Sequence, residues 1–311
     1  MGDGEPAIDV RGLRKTYRNT VAVDGIDLRV ERGEIFALLG PNGAGKTTTV
    51  EILEGYRQRD AGAVTVLGSD PGTANGKRGA GDMAGRRWRE RIGIVLQGTG
   101  EFDELAVGEV VRHFARFYPE PDDPAGVIER VGLGEKVKAR THTLSGGQKR
   151  RLDVALGIIG RPELLFLDEP TTGFDPEARR EFWGLIRDLK ESGTTILLTT
   201  HYLEEAEALA DRVGVIARGR LIAVDTPRLL GHRDTALATI SWRTPAGSWE
   251  RTQSATPTAV VADLAARFGG EVPGLTVTRP TLEDVYLEMI GMTERTERSE
   301  GHEGMQKVGT A

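Results

Sequence analysis

Three short runs of residues in this sequence are suited to handling phosphate. The first is Gly40, Pro41, Asn42, Gly43, Ala44, Gly45, Lys46, Thr47 and Thr48, directly after the apolar run Ile35 to Leu39. Strand, glycine-rich turn and helix make a phosphate loop. Glycines let consecutive backbone N–H groups curl round a β-phosphate, and the following helix aims its positive end at the same point. Lys46 then spans the β and γ phosphates, and Thr47 offers a hydroxyl to Mg²⁺. The second run, Leu164, Leu165, Phe166, Leu167, Asp168 and Glu169, reads as a buried strand delivering two carboxylates at its C-terminal end, where open α/β sheets place ligands. Asp168 suits Mg²⁺, often through water, whereas Glu169 faces the other way and can polarise an attacking water as general base. Taken alone, this run also fits a surface strand end with two solvated acids. The third, Leu144, Ser145, Gly146, Gly147 and Gln148, precedes a helix expected from about Lys149 to Ile159. Ser145 can cap that helix, and the glycines leave amides exposed at its positive end as a second anion site. Alone, the pentapeptide also fits a polar turn.

These residues need a scaffold, and the pattern around them alternates. Strand-like runs fall at Ile8 to Val10, Val21 to Val30, Ile35 to Leu39, Val64 to Leu67 and Ile92 to Leu96, all short and rich in branched side chains. Between Ser69 and Gly85 five glycines interrupt any period, which predicts a surface loop, and Arg86, Arg87, Arg89 and Arg91 read as a solvated helix face. From Val107 the apolar positions step by three and four through Val110, Val111, Phe114, Phe117 and Tyr118, and Val127, Ile128 and Val131 begin another helix. Strands return at Leu164 to Leu167, Thr195 to Thr199 and Val213 to Ala217, the alternation of an α/β domain. After Pro227 the pattern changes to strand-like Ala236 to Trp242, helical Thr258 to Phe268, strand-like Leu275 to Thr278, and a helix opened by a Thr281–Asp284 capping box. The expected organisation is a nucleotide-binding domain over 1–225 with a helical subdomain near 98–160, a small α+β domain over 226–292 and a disordered tail over 293–311.

Composition limits what such a chain can do. With 311 residues it exceeds one hydrophobic core, and 38% hydrophobic with 28% charged residues describes a soluble globular protein. No stretch approaches the roughly 18 apolar residues of a membrane span, and Met1 to Pro6 is short and polar, so neither a span nor a secretion signal is expected. Zero Cys excludes disulfides and thiolate metal sites and permits a cytoplasmic address. A net charge of -6 is a poor footprint for nucleic acid, so none is expected as partner.

Taken in order, the phosphate loop, Gln97, the Leu144 to Gln148 signature, the acidic strand, Asp175 and His201 resemble the ATP-binding cassette family over roughly Ile8 to Ala223. The resemblance implies two copies sandwiching two ATP molecules head to tail, with the phosphate loop of one facing the signature of the other. It further implies that Gln97 touches Mg²⁺ and the water, Asp175 bridges the protomers, His201 contacts the γ-phosphate and Tyr17 stacks on adenine. On their own, Gln97 also fits a strand end, Asp175 a helix start before Pro176, His201 a surface imidazole and Tyr17 a packing residue. Leu144 to Pro176, Thr199 to Asp211 and Thr281 to Gly291 resemble more narrowly the ATP-binding subunits of daunorubicin-resistance type exporters, whose membrane domain is a separate chain. The resemblance therefore implies an ATPase subunit on the cytoplasmic face of the membrane, working as a dimer beneath an integral membrane permease to export a hydrophobic drug or secondary metabolite. A soluble cassette ATPase acting on ribosomes or DNA, and the motor of an importer, remain open. Phe102 and Leu105, after Gln97, are expected either to staple the next helix or to line a groove for a permease helix.

Overall fold

The structure, a computed structural model, describes residues 4–74, 83–95 and 102–291. Chain contacts divide it into two compact units, Met1–Val224 and Asp225–Ala311. In the first unit, β1 (Ile8–Tyr17) and β2 (Thr20–Val30) form a hairpin, and β3 (Ile35–Leu39) leads into α1 (Lys46–Leu53). Next come β4 (Ala61–Val66), α2 (Pro71–Ala74), α3 (Met83–Glu90) and β5 (Ile92–Val95). The helices α4 (Val107–Ala115), α5 (Pro124–Arg130) and α6 (Gly146–Ile158) precede β6 (Leu164–Asp168). The unit continues with α7 (Pro176–Glu191), β7 (Thr195–Thr200), α8 (Leu203–Leu209), β8 (Arg212–Ala217) and β9 (Arg220–Asp225).

Two sheets result. The larger has the order β5-β6-β7-β3-β8-β9, with parallel pairing from β5 through β8. Every residue of β3 and β7 is buried, and the first four of β6 are too. Burial at every position, in place of alternate ones, belongs to parallel strands covered on both faces. The smaller sheet, β2-β1-β4, is antiparallel; β1 buries Ile8 and Val10 at alternate positions and Leu13 beyond a register shift. Helix α7 buries Phe182, Leu185, Ile186 and Leu189, one stripe at helical spacing. Helix α6, by contrast, is buried along most of its length from Leu152 to Ile158.

The second unit contains β10 (Ala238–Arg243), β11 (Trp249–Ser254), α9 (Pro257–Phe268), β12 (Thr276–Thr278) and a further helix over 282–291. Its sheet has β10 in the centre, and Ile240, Trp242, Leu264 and Val272 form a small core. The Thr281–Asp284 capping box is present: Asp284 N–H donates to Thr281 Oγ1 at 3.1 Å, and Thr281 N–H to Asp284 Oδ2 at 2.8 Å.

Several sequence expectations change. Part of the Ser69 to Gly85 loop is helical, as α2 and the start of α3; residues 75–82 lie outside the described residues. Burial holds α3 in place, because Trp88 is 2% exposed and its indole N–H donates to Val66 O at 3.0 Å. Strand β1 continues well past Val10, and Tyr17 is its last residue. The signature helix starts at Gly146, and β11 is a strand the sequence pattern did not reveal. The tail over 293–311 lies outside the described residues. Phe102 packs edge-on against Phe114, with ring centres 5.4 Å apart, which gives it a packing role, whereas Leu105 is 39% exposed. Among the described residues no helix is long and apolar enough to cross a membrane.

Candidate active site

The phosphate loop leaves the end of β3, an interior strand of the larger sheet, and turns into α1. Two glycines are required by its course. Gly45 has φ 105°, and a Cβ there would lie 2.4 Å from Ala22 O; a Cβ on Gly40 would lie 2.4 Å from Ile216 O. Pro41, Asn42 and Gly43 are exposed, Ala44 is buried, and Thr47 is exposed beside the half-buried Thr48. Lys46 is 5% exposed, and its Nζ donates to Gly40 O at 2.8 Å and Pro41 O at 3.2 Å, arching back over the loop. Burial pushes its amine below the ordinary lysine value, opposed by the charges of Glu169 and Asp168. A cavity of about 300 Å³ is lined by Tyr17, Ala22, Asn42, Gly43, Gly45, Lys46, Thr47, Thr48 and Glu169. The fold thus brings Tyr17, the loop and one strand-end acid to a single cavity.

Asp168 ends β6 opposite Thr199 of β7, whose Oγ1 donates to Asp168 Oδ1. Glu169 lies one residue beyond the strand at φ 44°, in the left-handed region that side chains other than glycine rarely occupy. His201, directly after β7, places Nδ1 3.3 Å from Glu169 Oε1. Glu169 and His201 therefore pair at the ends of adjacent strands, with Asp168 one residue before Glu169, so that one carboxylate is available to a cation and the other to a water. Mg²⁺ prefers oxygen ligands and relies on few protein groups plus substrate phosphates. The Thr47 hydroxyl and the Asp168 carboxylate are a donor set of that kind.

Ser145 caps α6, accepting from Gln148 N–H at 3.3 Å while Gln148 Oε1 accepts from Ser145 N–H at 3.1 Å. Ser145 and Gly146 are exposed, Gly147 and Gln148 half-buried, and none of them lines the cavity. Asp175 caps α7 by accepting from Glu177 N–H at 3.0 Å and Ala178 N–H at 2.9 Å, so the helix-start reading of this residue is realised. Gln97 lies outside the described residues.

Sequence reasoning missed three residues near the site. Thr199 both donates to Asp168 and accepts from Glu169 N–H at 3.2 Å. Glu54, at the end of α1, is 7% exposed, and burial, then the nearby Asp168 and Glu51 charges, push its carboxyl up to about 8. Arg150 is buried and reaches the backbone beside Glu169. Its Arg–x–x–Asp spacing to Asp153 was the available signal of a buried pair.

A model of the family described as ABC transporter matches residues 23–172. The Nod factor export ATP-binding protein I of Ralstonia nicotianae is 38% identical, over 93% of this chain and 95% of that protein. The daunorubicin resistance ATP-binding protein DrrA3 of Streptomyces coeruleorubidus is 36% identical, over 95% of this chain and 99% of that protein. Among solved structures, cbiO1 from Clostridium perfringens, part of the ABC transporter complex cbiONQ, superposes with a TM-score of 0.64 at 30% identity, covering 72% of this chain and 90% of that one.

Proposed function

The chain belongs to the ABC transporter family as an ATP-binding subunit, an ATPase coupled to transport, and we propose that it drives export of a hydrophobic drug or secondary metabolite through a separate permease chain. One observation carries this reading: Tyr17, the phosphate loop and Glu169 share one cavity, in a chain whose likeness to export ATP-binding proteins covers 93 to 95% of its length and so reaches into the second unit. In this reading Met1–Val224 is the ATP-binding domain, with the helices of residues 102–160 as its helical subdomain, and the second unit is an accessory α+β domain.

The residues divide the work as follows. Tyr17 stacks on the adenine, and the backbone N–H groups from Asn42 to Thr48 surround the phosphates. Lys46 exchanges its two loop carbonyls for β- and γ-phosphate oxygens, a replacement that its buried amine, arched over the loop, is placed to make. Thr47 and Asp168 would hold Mg²⁺, with Gln97 as third contributor; bound there, the ion neutralises charge building on the phosphates. Glu169 takes the proton of the attacking water, and His201, 3.3 Å from it, contacts the γ-phosphate. ABC ATPase domains act as dimers with a membrane permease. Here we assign Ser145, Gly146, Gly147 and Gln148 to the ATP of a second copy and Asp175 to the contact between copies, on the cytoplasmic face of the membrane.

The test is transport. Inverted membrane vesicles carrying the chain with its permease should accumulate a hydrophobic compound when given Mg-ATP, and Glu169→Gln should stop accumulation. Movement in the opposite sense would identify an importer. Turnover tied to ribosomes or DNA, with no membrane association, would identify the soluble alternative.

A further inference from the structure

The backbone at Glu169 is held from two sides. On one, its N–H donates to Thr199 O at 3.1 Å and to Thr199 Oγ1 at 3.2 Å, both from β7. On the other, the carbonyls flanking Glu169 meet a single guanidinium. Arg150 of α6 donates from Nη2 to Asp168 O at 2.7 Å and from Nε to Pro170 O at 3.1 Å. Its side chain is 9% exposed, and Asp153, one turn further along α6, lies 4.0 Å from Nη1. The carbonyl of Glu169 itself accepts from Thr172 N–H at 3.3 Å. Each peptide plane from Asp168 to Thr171 thus has a fixed partner, and two of the three are set by Arg150. The residue between them has φ 44°, a conformation that persists in a non-glycine residue only when its surroundings over-determine it.

We propose that Arg150 is a positioning residue for ATP hydrolysis, a strap that keeps Glu169 in its left-handed conformation and its carboxylate turned into the nucleotide cavity. The proposal rests on the reading of Glu169 as general base. A planar fork suits the task because its donors lie in fixed directions and reach two carbonyls two residues apart, whereas an ammonium on a lysine stem is a point donor. Arg150 also follows Gly146 by four residues on α6, so the strap ties the helix that the signature opens to the backbone beside the base. Without it the strand end can relax toward ordinary φ and swing the carboxylate off the water. A displacement of about 1 Å at a reacting group can cost on the order of 100-fold in rate.

The experiment uses the full-length chain with Mg-ATP and compares Arg150→Lys, Arg150→Gln, Glu169→Gln and the Arg150→Lys/Glu169→Gln pair. The expected result is a kcat about 10- to 100-fold lower in both Arg150 variants, with KM and nucleotide affinity kept within about twofold. Adding Arg150→Lys to Glu169→Gln should leave the residual rate where it was, because the strap acts only through that carboxylate. If Arg150→Gln does not fold, Arg150→Lys decides alone. Wild-type kcat in Arg150→Lys beside an inactive Glu169→Gln overturns the strap. So does a parallel fall of kcat, ATP affinity and melting temperature, which would make Arg150 a packing residue. Near wild-type turnover in Glu169→Gln instead overturns the base assignment on which the strap depends.

Discussion

Lys46 and Glu169 line the same cavity, yet they should fail in different ways when replaced. Lys46 is a buried cation whose hydrogen-bond partners are two loop carbonyls and whose charge is balanced by Glu169 and Asp168. Lys46→Ala removes the positive charge that meets the phosphates, so a fluorescent ATP analogue should bind at least about tenfold more weakly, roughly the 1.4 kcal/mol of a modest charge-assisted contact. Glu169→Gln keeps the shape and the phosphate contacts, so the same titration should be unchanged while turnover falls about 10² to 10⁴-fold. Equal loss of binding in both variants would contradict the separation. Asp175 carries a second residue-scale prediction. Its Oδ1 accepts two amides at the start of α7, so Asp175→Ala should cost about 1 kcal/mol in urea unfolding, whereas Asp175→Asn, which retains that oxygen, should cost a few tenths. A stable Asp175→Asn with lowered turnover would support the proposed contact between copies.

At the scale of elements, the strand end proposed to carry the general base is tied to a short helix, α8. Glu205 of α8 is completely buried, and its Oε1 accepts from Thr171 Oγ1 at 2.9 Å, so α8 holds the loop that follows Glu169. Burial pushes the Glu205 carboxyl above the usual carboxylate range, against the neighbouring Thr200 and Thr171 hydroxyls, the Trp183 indole and the charge of Arg179. The sign follows from proton counting. Between the ordinary glutamate value and the raised one, the folded state holds a proton that the unfolded state has released, so stability falls as pH rises through that window. Each pH unit of it is worth up to about 1.4 kcal/mol. Glu205→Gln retains an acceptor for Thr171 without titrating. The melting temperature of Glu205→Gln relative to wild type should therefore rise between pH 5 and pH 8; a constant difference would show that Glu205 does not change protonation on folding.

For the whole molecule, the separation between the two proposed phosphate sites matters most. The cavity that holds the phosphate loop includes none of Ser145, Gly146, Gly147 and Gln148, although Ser145 and Gly146 are exposed at the start of α6. In the proposed dimer a second copy brings its α6 N-terminus to the nucleotide, and ATP is the adhesive. Sedimentation of the Glu169→Gln protein should show a monomer without nucleotide and a dimer with saturating Mg-ATP. Ser145→Arg, which places a long cation at the helix N-terminus, should return it to a monomer. A monomer under saturating Mg-ATP in the Glu169→Gln background would sink the proposal for the subunit without its permease.

Features built from consecutive residues were legible in the sequence. A phosphate loop needs successive backbone N–H groups, supplied from Asn42 to Thr48, a capped helix start needs a side chain such as that of Ser145, and a buried strand ending in acid is the run Leu164 to Glu169. Local geometry determines each of these, so residue order alone specified them. Which member of a uniform group turns inward was decided by tertiary structure. Lys149, Arg150 and Arg151 are consecutive cations; the spacing to Asp153 marks Arg150 for a pair, but only the packing of α6 beside the end of β6 brings it to the backbone of Asp168 and Pro170. Likewise Glu204 and Glu205 are adjacent, and α8 lying against Thr171 buries the second. Strand β11, polar and mostly exposed, exists because β10 offers it a ladder, and α3 because Trp88 finds Val66. In these cases the partner lies far along the chain or on another element, and the free energy of burial that selects one residue arises only once the two surfaces meet.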